Sequence, residues 1–85
     1  MKPITYSHEE VEIKIDEAFL SSTYLGRVTT IPTPAIESAT LEQVSDDTYT
    51  LYVIGRGVTL AELILTGDSD KVMEFYRQVI DLGKA

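Results

Sequence analysis

The segment from Asp68 to Leu82 has one regular structure open to it. At about 100° per residue, Leu82, Phe75, Val79, Val72, Tyr76, Ile80 and Met73 share one half of a helical wheel. Lys71, Gln78, Glu74, Asp81 and Arg77 share the other half, with no residue misplaced. The ends agree with a helix. Asp68, Ser69 and Asp70 can accept from free N–H groups and complement the positive end of the dipole. Gly83 follows Leu82 where a left-handed cap is wanted, and Lys84 suits the negative end. Glu74 and Arg77, three apart, are placed to pair on the wet side. Such a helix must bury its apolar stripe against something flat.

The flat partner lies just upstream. The run 48–54 (TYTLYVI) is β-branched and aromatic, Gly55-Arg56-Gly57 is a turn cluster, and 58–66 is a second apolar run closed by Gly67. The pair reads as a β-hairpin. A rival reading starts a short helix at the capping box Thr59-Leu60-Ala61-Glu62. That helix would have only about two turns and no clean polar side, so the strand is preferred. Tyr49, Leu51 and Val53 share one parity of the first strand, and Tyr52 and Ile54 the other. On the second strand Leu63 and Leu65 oppose Val58, Leu60 and Ile64. Both faces are apolar, whereas a sheet with one wet face should alternate. One helix covers one face. The other calls for the N-terminal segment, a second copy, or a partner.

Upstream, Ile4 and Tyr6 alternate after Pro3 in a terminal arm or edge strand. A helix over 8–20 fails on the wheel. Val11, Ile13 and Ile15 alternate with Glu10, Glu12, Lys14 and Asp16, which predicts a strand over about 10–16. Ala18-Phe19-Leu20 extends it or makes one helical turn, and Ser21-Ser22-Thr23 reads as a loop. A weak strand is expected over 24–31. Ile31-Pro32-Thr33-Pro34 is an extended connector, because two prolines remove two donors. A further strand spans about 36–44, and Ser45-Asp46-Asp47 is a turn. The expected fold is α+β: a mostly antiparallel sheet of four to five strands with one C-terminal amphipathic helix on one face. With 85 residues, a single domain over 1–85 is expected.

Fourteen acids against seven bases give a net charge of −7. Residues 1–54 hold nine acids and three bases, a net of −6. Direct binding to nucleic-acid backbone, which needs clustered Lys and Arg, is not expected. Cysteine is absent, so no disulfide framework or Cys-based metal or redox site is expected. No apolar run reaches the length of a membrane span, and a cytoplasmic protein is expected.

Signs of chemistry are few. His8 is the only histidine, and its neighbours Glu9 and Glu10 would point to opposite faces of a strand. No nucleophile elbow, dinucleotide fingerprint or phosphate loop occurs, and Gly55-Arg56-Gly57 is too short to cradle phosphate. No catalytic, cofactor-binding or metal residues are assigned, and no small molecule is identified as a ligand. Among five tyrosines, Tyr52 is the best interface candidate, with Arg56 nearby. Glu10, Glu12 and Asp16 form a second candidate. With every second residue about 6.8 Å apart along a strand, and the row broken by Lys14, they would imitate a row of phosphates.

Three functions compete. The first is a small non-catalytic protein-interaction module, self-associating as a homodimer through the doubly apolar hairpin. The second is an acidic inhibitor or nucleic-acid mimic, of the kind phages carry, occupying a basic groove of a partner protein. The third is a small-ligand carrier or enzyme with its site at a subunit interface.

Overall fold

The computed structural model describes residues 2–82, and within them the chain forms seven strands, one 3-10 turn and one helix. In order these are β1 (Ile4–His8), β2 (Val11–Ile15), β3 (Phe19–Tyr24), β4 (Arg27–Pro32), the 3-10 turn Thr33–Ala35, β5 (Ser38–Ser45), β6 (Thr48–Gly55), β7 (Val58–Thr66) and α1 (Ser69–Leu82). The strands make two antiparallel meanders, β1-β2-β3-β4 and β5-β6-β7. The antiparallel pairing and the single C-terminal helix are as expected. The one sheet of four to five strands is not: there are seven strands in two sheets.

Short turns account for the extra strands. The registers His8↔Val11, Tyr24↔Arg27, Ser45↔Thr48 and Gly55↔Val58 leave two residues in each connection. Three of these turns carry residues at positive φ: Glu9 at 52°, Leu25 and Gly26 at 50° and 80°, Arg56 and Gly57 at 54° and 76°. Positive φ matches the turn to the twist of the strands it joins. The strand expected over 24–31 is thus broken at Leu25-Gly26. Ser21-Ser22-Thr23 is not a loop but the middle of β3, paired with β2 on one side and β4 on the other. Hydrogen bonds to two neighbours override the weak strand preference of serine.

Pro32 and the 3-10 turn separate the two sheets. Pro32 ends β4, and Pro34 in the next turn cannot donate to a ladder. The turn is pinned instead by Thr33 N–H to the Ala18 carbonyl (3.0 Å) and Glu37 N–H to the Ile54 carbonyl (2.8 Å). The chain therefore leaves the first sheet and starts another.

One continuous core lies between the layers. From the first sheet come Tyr6, Val11, Ile13, Ile15, Leu20 and Ile31. Ala39, Tyr49, Leu51, Val53, Leu63 and Leu65 answer from the second, and α1 adds Val72, Phe75 and Val79. Thr66 meets Tyr6 and His8 of β1, while Glu62–Ile64 border Ser22, Tyr24, Arg27 and Thr29 of β3 and β4. Strand β7 thus crosses several strands of the first sheet rather than following one of them.

The helix begins as expected. Asp68 Oδ1 accepts the Lys71 N–H at 2.9 Å, and the Asp68 carbonyl accepts the Val72 N–H at 3.1 Å. Glu74 and Arg77 stand 3.9 Å apart on the exposed side. The cap expected at Gly83 and Lys84 lies outside the described residues. Helix α1 bridges the sheets: Tyr76 donates to the Ala39 carbonyl (3.1 Å), Phe75 packs on the Tyr6 ring at 5.1 Å, and Lys71 Nζ donates to the Ser7 carbonyl (2.6 Å).

Candidate interaction surface

The helix and the first sheet both pack on the same inner face of the β5–β7 sheet. The opposite face, bearing Tyr52, Ile54 and Ile64, is not covered by either layer, and Tyr24, Leu25 and Arg27 only border it beside Ile64. The exposed large apolar side chains fall mainly on two elements. Leu25 (64 % exposed) and Ile64 (36 %) border one cleft, while Val28 (62 %) and Phe19 lie on the other face of the β3–β4 hairpin and Val58 (58 %) and Leu60 (38 %) lie near the β6–β7 turn. Val44 and Met73 are the only other exposed large apolar residues among those described. Strand β7 is also an edge, with one side of its backbone unpaired.

Between these elements lies a cleft. One part, about 280 Å³, is lined by Tyr24, Leu25, Arg27 and Ile64. It adjoins a narrower part where Ser22 and Thr29 face Glu62 and Leu63. Ser22 is the buried polar side chain in this region.

Tyr52 lies mid-strand on the uncovered face, opposite Thr40 of β5 and Glu62 of β7. Its hydroxyl donates to Glu42 Oε1 at 3.4 Å. Desolvation by its neighbours, then the carboxylates of Glu42 and Glu62, push its ionisation above the ordinary value of 10.0. Arg56 is four residues on, about 13 Å along the strand, so it does not share a site with Tyr52. It sits instead in the β6–β7 turn, where its backbone N–H donates to Glu37 Oε1. With Glu37, Pro34, Ala35, Gly55 and Leu60 it borders a depression of about 320 Å³, near the small end for ligand pockets.

The carboxylate row does not assemble. Glu10 belongs to the β1–β2 turn, and only Glu12 lies within β2, with Lys14 Nζ 3.8 Å away on the same face. Asp16 stands beyond the strand, where its Oδ1 accepts the N–H groups of Ala18 and Phe19, each at 2.8 Å. Those bonds hold its carboxyl below the usual 3.8 and fix it as the organiser of the β2–β3 turn.

His8 is tied to β7. Its Nδ1 is 2.9 Å from Thr66 Oγ1, and that hydroxyl donates to the His8 carbonyl at 3.5 Å. Tyr6 donates to the Thr66 carbonyl beside it. Burial, then the charges of Asp68 and Tyr49, raise the ionisation of Tyr6 above 10.0. These contacts clamp the crossing of β7 over β1. Among the described residues, no cluster of three or more His, Cys, Asp or Glu is placed to hold a metal, and no helix is long and apolar enough to cross a membrane.

The β3–β4 contribution to the surface escaped the sequence reading. The signal available was Leu25-Gly26, a two-residue turn between two short alternating runs. No family model, curated protein or solved structure matches the chain.

Proposed function

We propose that this protein is a non-catalytic interaction module that associates with itself through the apolar surface of the β6–β7 hairpin. One observation carries the reading. Ile64 is exposed, with Tyr52 and Ile54 half-covered, because both packing layers occupy the opposite face of that sheet, and Val58 and Leu60 add exposed apolar surface at the adjoining β6–β7 turn. Contiguous exposed apolar surface marks interaction sites in small soluble domains. A small chain, with a high ratio of surface to volume, also gains stability by covering such a face with a copy of itself.

The test is the solution mass at roughly 100 μM, a concentration that populates complexes with dissociation constants up to about that value. A concentration-dependent dimer is expected, with hydrophobic-dye fluorescence falling as the dimer forms. A strict monomer that binds no dye at this concentration would refute the proposal.

A further inference from the structure

The self-association proposed above names the β6–β7 hairpin but not which side of it, the open sheet face or the β7 edge, meets the second copy. We propose that the seam is the cleft between the β3–β4 hairpin and the free edge of β7, joined by reciprocal Arg27–Glu62 pairs across a two-fold axis. The inference rests on the self-association reading and adds its location and polarity.

Charge supports a second copy as the occupant. The chain carries −7, so two copies repel over most of their surfaces. Residues 18–36 and 48–61 are the exceptions: each stretch contains no acid and one base, Arg27 in the first and Arg56 in the second. Strand β7 holds one acid, Glu62, and no base. The cleft is thus an acid-poor wall facing a wall with a single carboxylate. Both charged residues border it, and neither has an ion-pair partner among the described residues.

An isologous interface requires that if residue i meets j, then j meets i. One cation and one anion on opposite walls satisfy that requirement twice per dimer. A direct β7-to-β7 edge pairing does not. Glu62 is the central residue of Val58–Thr66, and antiparallel pairing about the strand centre would set it against its own copy. Like charges directly opposite are destabilising, and a central charge is a usual guard on an edge strand. The register irregularity in β7 opposite Val53 and Ile54 further spoils that edge for straight pairing.

Size points the same way. A stable interface buries about 800 Å² per partner, roughly 15 % of the 5312 Å² accessible surface of this chain. One strand edge falls short of that. The β3–β4 hairpin with Leu25 and β7 with Ile64 together offer a broader contact with an exposed apolar side chain on each wall. Arg27 and Glu62 would form its polar rim.

The experiment is a charge swap read by sedimentation. Dimer dissociation is measured for the wild type, Arg27→Glu, Glu62→Arg and the double variant. Each single reversal should weaken the dimer by on the order of tenfold at each of two contacts, or roughly a hundredfold in all. The double variant should restore it. Ile64→Asp, at an exposed position, should abolish the dimer while far-UV circular dichroism stays unchanged. A wild-type dimer unaffected by either single reversal, or a double variant no tighter than the singles, would overturn this seam. If Tyr52→Glu then breaks that dimer, self-association stands and its interface is the open sheet face. A monomeric wild type would overturn both proposals.

Discussion

Gly55→Ala probes the joint between the two halves of the chain. Gly55 ends β6 beneath the 3-10 turn, and a Cβ there would sit 2.2 Å from the Ala35 carbonyl oxygen and 2.8 Å from Leu60 Cδ1. Comfortable contacts begin near 3.5 Å, so that oxygen would have to retreat by roughly 1.3 Å. The Leu60 tip can rotate away, but the carbonyl is backbone. It is held by the Glu37 N–H bond to Ile54, the Thr33 N–H bond to Ala18 and the buried Ile36. Overpacking of this kind costs about 1–3 kcal/mol, and straining one backbone hydrogen bond adds about 1 kcal/mol. Reduced freedom of the unfolded chain returns about 0.4–1 kcal/mol. The net is a loss of about 2 kcal/mol, or about 8–16 °C in the thermal midpoint for a domain of this size. Thermal unfolding by circular dichroism reads it directly. Gly57→Asn is the control: Gly57 has φ of 76° and open space around it, and Asn tolerates that conformation. Its midpoint should stay near the wild type. A Gly55→Ala protein as stable as wild type would refute the argument that close approach, rather than turn geometry, demands glycine there.

Two pH predictions follow from groups held away from their ordinary ionisation. Tyr6 is raised above 10.0 by burial, so its stabilising contribution is complete below pH 10 and is lost as pH climbs through the folded value. Urea midpoints measured at pH 9 and 11 should fall more for wild type than for Tyr6→Phe; parallel declines would contradict this. Asp16 is lowered by the Phe19 and Ala18 N–H groups, so its contribution is present above the unfolded value and is lost as pH falls through the folded one. A carboxyl titration followed by NMR should give a midpoint below 3.8, and Asp16→Ala should make the acid limb shallower. A midpoint at or above 3.8 would mean that the turn does not form in solution.

Local pattern alone determined the helix and most strands. The 3.6-residue stripe of 69–82 and its Asp68 cap are properties of neighbouring residues, and the structure places α1 at Ser69–Leu82. The alternation in Val11–Ile15 and the dense β-branched content of 48–66 are equally local, and here the strand prevailed over the rival capping box. The grouping of one hairpin face was also legible from parity, although the register irregularity in β7 moves Val58 away from the face of Ile64 and sets it opposite Gly55. Tyr49, Leu51, Val53, Leu63 and Leu65 became the buried side.

Tertiary structure decided the rest. Ser21-Ser22-Thr23 carries no strand signal of its own and becomes strand because β2 and β4 satisfy its backbone from both sides. Nothing local says that the chain after Pro32 starts a second sheet, or that this sheet crosses the first. That depends on which apolar faces can be covered at once. The first sheet and the helix both settle on the inner face of β5–β7, and so Ile54, Tyr52 and Ile64 remain outside. The same crossing brings Arg27 and Glu62, 35 positions apart, to one cleft, and carries Glu10, Glu12 and Asp16 into three different settings. Sequence sets which residues are apolar and with what period. Only the packing of layers, in which one face can be covered once, sets which of them are left for another molecule.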